Sequence, residues 1–93
     1  MKIRSVNPFT NEVIKEFEAM TKQEVEHRVD NARRASDSWS NESIQVRSRY
    51  IKKLGKHLAK KKQQYAELMA REMGKPLKEG IPEVEKCAWL CED

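Results

Sequence analysis

Glycine and proline are scarce, with three of each in 93 residues. Collagen-like, linker and low-complexity architectures need both in quantity and are excluded. Cysteine is scarcer still. Two of them are too few for the disulfide framework with which a small secreted domain replaces a core. Aromatic residues make up 6%, and no apolar run approaches the length of a bilayer span, so no membrane partner is expected. Met1 to Phe9 is short and mixed and lacks the order of a signal peptide, so the expected setting is cytoplasmic and reducing. There is no internal repeat. Charge of one sign is not dominant either: 19 Lys and Arg stand against 15 Asp and Glu, giving a net +4 and a pI near 9.2. The signs interleave along most of the chain, and only Lys60, Lys61 and Lys62 form a cationic run. On a helix such a run is a solvated face, and no nucleic-acid partner is expected from it.

What is present is periodic. Lys2 to Val6 and Val13 to Glu18 are β-prone runs separated by the turn-forming cluster Asn7 to Glu12, which predicts a hairpin over residues 2–18. Asn11 suits a left-handed turn position. Thr21-Lys22-Gln23-Glu24 has the spacing of a capping box. A first helix should therefore run over about 22–38, with Val25, Val29, Ala32, Ser36 and Trp39 on one stripe and Trp39 closing its buried face. Ser43 can cap a second, long helix over 44–73, whose apolar positions include Ile44, Ile51, Leu54, Leu58, Tyr65, Leu68 and Met69. Gly74 and Pro76 stop it. Leu77, Ile81, Val84, Ala88 and Cys91 then repeat at helical spacing. Pro82 is tolerable only in a first turn or at a kink, so the third helix is expected over about 82–93.

The predicted fold class is α+β: one segment, residues 1–93, with an N-terminal hairpin followed by three helices. A hydrophobic share of 38% against 37% charged residues is lean for a self-sufficient globule, and a chain this short buries a modest fraction of its surface. The last stripe is still in phase at Asp93 with no stop signal after it, which predicts a piece of a longer protein.

The residues that could carry chemistry are few. Cys87 and Cys91 lie four apart on a helix, near no histidine in sequence, and core packing is their expected use. His27 and His57 fall on different helices, and no Cys-x-x-Cys or His-x-x-x-His spacing occurs, so no metal site is expected. Gly74-Lys75-Pro76 lacks the upstream glycine of a phosphate loop and has proline where the hydroxyl should be. Trp39, Trp89, Tyr50 and Tyr65 fall mostly on or beside apolar stripes and are read as core or interface. No catalytic, cofactor-binding or metal-binding residue is assigned.

Several of these stretches together resemble one family. Ser5-Val6-Asn7-Pro8-Phe9-Thr10-Asn11-Glu12-Val13-Ile14 resembles the opening hairpin of aldehyde dehydrogenases, Ala35 to Trp39 their Trp-ending helix, and Ser43 to Leu54 their Ser-Pro-x-x-Arg segment, with Arg47 in the arginine place. Glu72-Met73-Gly74-Lys75-Pro76 is similar to their Glu-Thr/Met-Gly-Lys-Pro turn, and Glu83 to Glu92 to the helix that follows, leaning toward the succinate-semialdehyde branch. Asn11, Ile44 and Gly80-Ile81-Pro82 depart from the family pattern. The resemblance implies an α/β parent enzyme that oxidises an aldehyde to a carboxylate through a cysteine thiolate with NAD or NADP. It places nucleophile, base and dinucleotide site outside the stretch matched. Some members hold a monovalent cation near the first strand and this turn, where Val6 and Glu72 would correspond, and no site is assigned to them. The chain itself is expected to be inactive, to bind no cofactor, to pack on the rest of the parent dehydrogenase and to self-associate or form homo-oligomers through exposed apolar helix faces. The alternative is a small basic helical module that binds nucleic acid or a partner protein, with affinity falling steeply as salt rises.

Overall fold

The computed structural model describes residues 1–93. Strands β1 (Lys2–Val6) and β2 (Val13–Glu18) are followed by α1 (Lys22–Ser40), α2 (Ile44–Lys60), α3 (Lys62–Met73) and α4 (Leu77–Glu92). The hairpin lies where the alternation placed it. Its antiparallel register pairs Lys2 with Glu18, Ile3 with Phe17 and Arg4 with Glu16, then slips by one residue between Ser5 and Val6, so that Val6 faces Val13. Lys2, Arg4, Glu16 and Glu18 make a polar face on which Arg4 meets Glu16 at 3.2 Å and Lys2 meets Glu18 at 3.4 Å. Ile3 and Phe17 share the opposite face, half-exposed. In the connecting turn Asn7 Oδ1 accepts from the amides of Phe9 and Thr10, and Asn11 takes φ 62°, as its tolerance of that region anticipates.

Both helix caps form as the sequence dictates. The Thr21 hydroxyl accepts from the Glu24 amide at 3.1 Å, and the Glu24 carboxylate accepts from the Thr21 amide at 3.3 Å. Ser43 Oγ accepts from the Val46 amide at 3.2 Å and starts α2.

Two helix boundaries differ from expectation. The long helix over 44–73 is two helices, broken at Lys61, whose φ of −108° and ψ of 19° depart from helical values. Nothing in the sequence breaks it: there is no Gly or Pro at the joint, and the apolar positions stay in phase across it. The reason is tertiary. A straight 30-residue helix would span about 45 Å, whereas the bend lets α2 and α3 both pack on the 16-residue α4. A hydrogen bond between His57 Nε2 and Tyr65 Oη at 3.0 Å spans the joint. The last helix begins at Leu77, not near Pro82. Pro76 starts it, since its carbonyl accepts from the amides of Glu79 and Gly80. Pro82 sits inside, where a proline costs about 3 kcal/mol. The packing of Gly80, Val84 and Ala88, all buried, outweighs that cost.

The core is made of small residues. Ala66 is fully buried, and Val84, Ala88, Gly55 and Gly80 complete the buried set. A β-carbon on Gly55 would stand 2.7 Å from Cys91 Cβ, and one on Gly80 3.2 Å from Ala66 Cβ, so both glycines are points of close helix approach. α1 buries none of its residues. Trp39 does not close a core: it is 40% exposed and meets Tyr50 edge to face, ring centroids 5.5 Å apart. The molecule measures 47 × 38 × 13 Å with a radius of gyration of 17.2 Å, against about 12 Å for a compact domain of this length. Its least dimension is that of one helix with side chains, so the elements form a single layer. No helix is long and apolar enough to cross a membrane.

Candidate functional site: the hairpin, the Gly-Lys-Pro turn and the cysteine helix

The hairpin meets the turn between α3 and α4 through polar groups far apart in sequence. Gly74 ends α3 in the left-handed region, φ 72°, with its amide donating to the Ala70 carbonyl at 3.0 Å. Pro8 of the hairpin turn packs over it, 3.5 Å from where a β-carbon would stand. Beside it the Ser5 hydroxyl donates to Glu72 Oε1 at 2.9 Å. The next residue, Lys75, forms an ion pair with Glu83 in the second turn of α4. The hydrogen bond to Glu83 raises the Lys75 pKa above its ordinary 10.5; desolvation lowers it, and the charges of Glu83 and Glu79 raise it further.

That direction fixes a pH dependence. A lysine whose folded pKa lies above its unfolded value contributes stability fully below the unfolded pKa and loses it as pH rises through the folded one. The unfolding midpoint of the unaltered chain should therefore fall above about pH 10.5 more steeply than that of Glu83→Gln. Identical alkaline profiles would show that the pair contributes nothing.

The junction is a clasp. The Ser5 hydroxyl is held by the Glu72 carboxylate and the Lys75 ammonium by Glu83, so each polar group is spent on joining two elements. These residues do not cradle a dinucleotide. Gly55 and Gly80 are spent on helix contacts and Gly74 on ending α3, which leaves no glycine for the close backbone approach that a pyrophosphate needs. The residues present do not fit NAD(P).

The cysteines separate. Cys91 is half-buried against Gly55, as a packing residue should be, but Cys87 is exposed. Four residues put both on roughly one side of α4, yet the packed stripe runs through Gly80, Val84, Ala88 and Cys91, and Cys87 lies off it. The core role expected for Cys87 is thus not what this chain shows. His57 bonds Tyr65, and His27 bonds Asn31 at 3.3 Å. No three His, Cys, Asp or Glu side chains gather as a metal would need.

A single layer with a clasped hairpin and small-residue helix contacts recurs within a larger solved chain. It superimposes with a TM-score of 0.89 and 28% identity on the crystal structure of glyceraldehyde-3-phosphate dehydrogenase GapN from Methanocaldococcus jannaschii complexed with NADP, covering 97% of this chain and 20% of that one. A sequence model of the aldehyde dehydrogenase family matches residues 1–93, and the chain belongs to that family. It is 32% identical over 91 residues to a probable succinate-semialdehyde dehydrogenase [NADP(+)] of Synechocystis sp., covering 98% of this chain and 20% of the relative. It is also 31% identical over 81 residues to the lactaldehyde dehydrogenase of M. jannaschii, covering 87% of this chain and 18% of the relative. The chain thus spans about one fifth of the length of the relatives it matches. Relatives named for different aldehydes stand at similar identity, so the likeness is to the family and not to one branch.

Proposed function

We propose that this chain is the N-terminal scaffold segment of an NAD(P)-dependent aldehyde dehydrogenase, oxidising a semialdehyde, with succinate semialdehyde as the first candidate. The carrying observation is the match of nearly the whole chain to one fifth of a dehydrogenase complexed with NADP. The chemistry then lies in other parts of the parent fold, and this layer supports them by burying its stripes against them. Succinate semialdehyde is favoured because that aldehyde stands in the names of two relatives, from Synechocystis and Escherichia coli, and because the segment from Glu83 to Glu92 leans the same way. The partner of the layer is the rest of the dehydrogenase fold. In its absence the half-exposed apolar residues of α1 and α2 drive self-association.

The test is an assay of NAD(P)H formation with succinate semialdehyde, lactaldehyde, betaine aldehyde and glyceraldehyde. The chain alone should produce none. A dehydrogenase carrying this segment should show its highest kcat/KM with succinate semialdehyde. Turnover by the chain alone would overturn the scaffold role, and a clear preference for another aldehyde would overturn the substrate.

A further inference from the structure

Arg47 occupies a position on α2 where a cation does not belong. It lies three residues after Ile44, four before Ile51, seven before Leu54 and eleven before Leu58, so it shares the apolar stripe of the helix. Of the other cations of α2, Arg49, Lys53, Lys56 and Lys60 are spaced to the opposite, exposed side. The Arg47 side chain is partly buried, and its Nε is shut off from solvent with no hydrogen-bond partner. None of the ion pairs of the structure includes it.

An Nε–H in that state is costly, because a buried donor that has left water without an acceptor keeps its whole desolvation penalty. Its surroundings show what would relieve it. Arg47 lines a shallow cleft between the start of α2 and the end of α4, about 240 Å³ in volume. Ile44, Ile51 and Leu90 line the same cleft and are 66%, 43% and 56% exposed. Large apolar groups ring a cation, as around the anchoring arginines of protein interfaces. Glu92 and Asp93 also line the cleft, but neither forms an ion pair with Arg47. Lys52 adds a second positive charge.

We propose that the cleft between α2 and α4 is a docking surface anchored by Arg47, and that its occupant is an apolar polypeptide element presenting an Asp or Glu carboxylate to the guanidinium. This rests on the reading of the chain as a dehydrogenase scaffold, and the element belongs to the rest of that fold. A carboxylate matches the planar fork of arginine with two parallel hydrogen bonds. A free phosphate or other small anion would satisfy the charge and leave Ile44, Ile51 and Leu90 in water; a protein element covers both.

The experiment places Arg47→Met in two contexts: the 93-residue chain, and the chain fused in place of the matching stretch of the Synechocystis relative. Methionine keeps the apolar reach and removes the charge. In the chain alone the urea midpoint should rise, because an unpaired cation has left an apolar face. In the fused enzyme the Tm should fall by about 5 °C, since removing one member of a buried pair strands the other. Arg47→Lys, which keeps the charge without the fork, should fall between. A lower midpoint in the chain alone would mean that Arg47 already pairs internally, with Glu92 or Asp93, and would overturn the proposal. So would an unchanged Tm in a fused enzyme that oxidises aldehyde. A fused enzyme that fails to oxidise aldehyde with Arg47 intact would instead sink the scaffold reading, and this inference with it.

Discussion

Gly55→Leu abolishes the packing of α2 on α4. A β-carbon at residue 55 would lie 2.7 Å from Cys91 Cβ and 3.0 Å from the Ala88 carbonyl oxygen, and one of those two obstacles is backbone. Rotating a side chain cannot relieve either, so the helices must part. Overpacking a core typically costs about 1–3 kcal/mol, and here the parting also exposes Val84 and Ala88, which with Ala66 make up the apolar core. The expected result is loss of the cooperative unfolding transition followed by circular dichroism, with helix content reduced in α2 and α4. Gly55→Ala should show a smaller loss, because alanine regains up to about 1 kcal/mol of helix propensity. Cys91→Ala in the Gly55→Leu background should rescue nothing, since it removes the sulfur and leaves the β-carbon. Rescue would mean that the sulfur, 3.8 Å away, was the obstacle.

Ala66→Asp should be as damaging for a different reason. Ala66 is 0% exposed, and its β-carbon faces Gly80 of α4 across a contact with no spare room. A carboxylate there must be desolvated with no cation in the contact, a penalty of several kcal/mol for a single ion. The molecule has only five buried residues and no second core to hold α3 in place. If the Ala66→Asp chain keeps the urea midpoint of the unaltered one, α3 and α4 do not meet in solution. Ala66→Ser, a volume-sparing control, should cost far less.

The features legible in the sequence are those that a few neighbouring residues decide. The hairpin, the Asn11 turn, the capping box of Thr21 and Glu24, the Ser43 cap and the Gly74 stop each follow from local chemistry, and each forms. What is not legible depends on which faces meet. Periodicity marks the stripe of α4 but does not say that Gly80 and Gly55 are the closest approaches, because a glycine leaves no apolar signal. The same periodicity runs unbroken through Lys61, where the bend is imposed by α4. Pro82 argues for a later helix start; it loses because Pro76 offers a better one and the packed stripe passes through Gly80. For Cys87, the spacing from Cys91 suggests a shared environment, yet the packed stripe does not extend to it. Arg47 enters the sequence reading only as the arginine of the family pattern; that its Nε is shut off without a partner depends on which faces meet.

α1 has a consequence for how the free chain responds to its solvent. In the monomer its 19 residues bury nothing, so at dilutions below self-association its amide hydrogens are guarded by the helix alone. They should exchange with deuterium at the rate of local helix opening, while those of α2, α3 and α4 wait for the contacts at Gly55 and Ala66 to separate. A protease probing the same chain meets the same division, with α1 and the 41–43 joint cut first and a resistant piece beginning near Ile44.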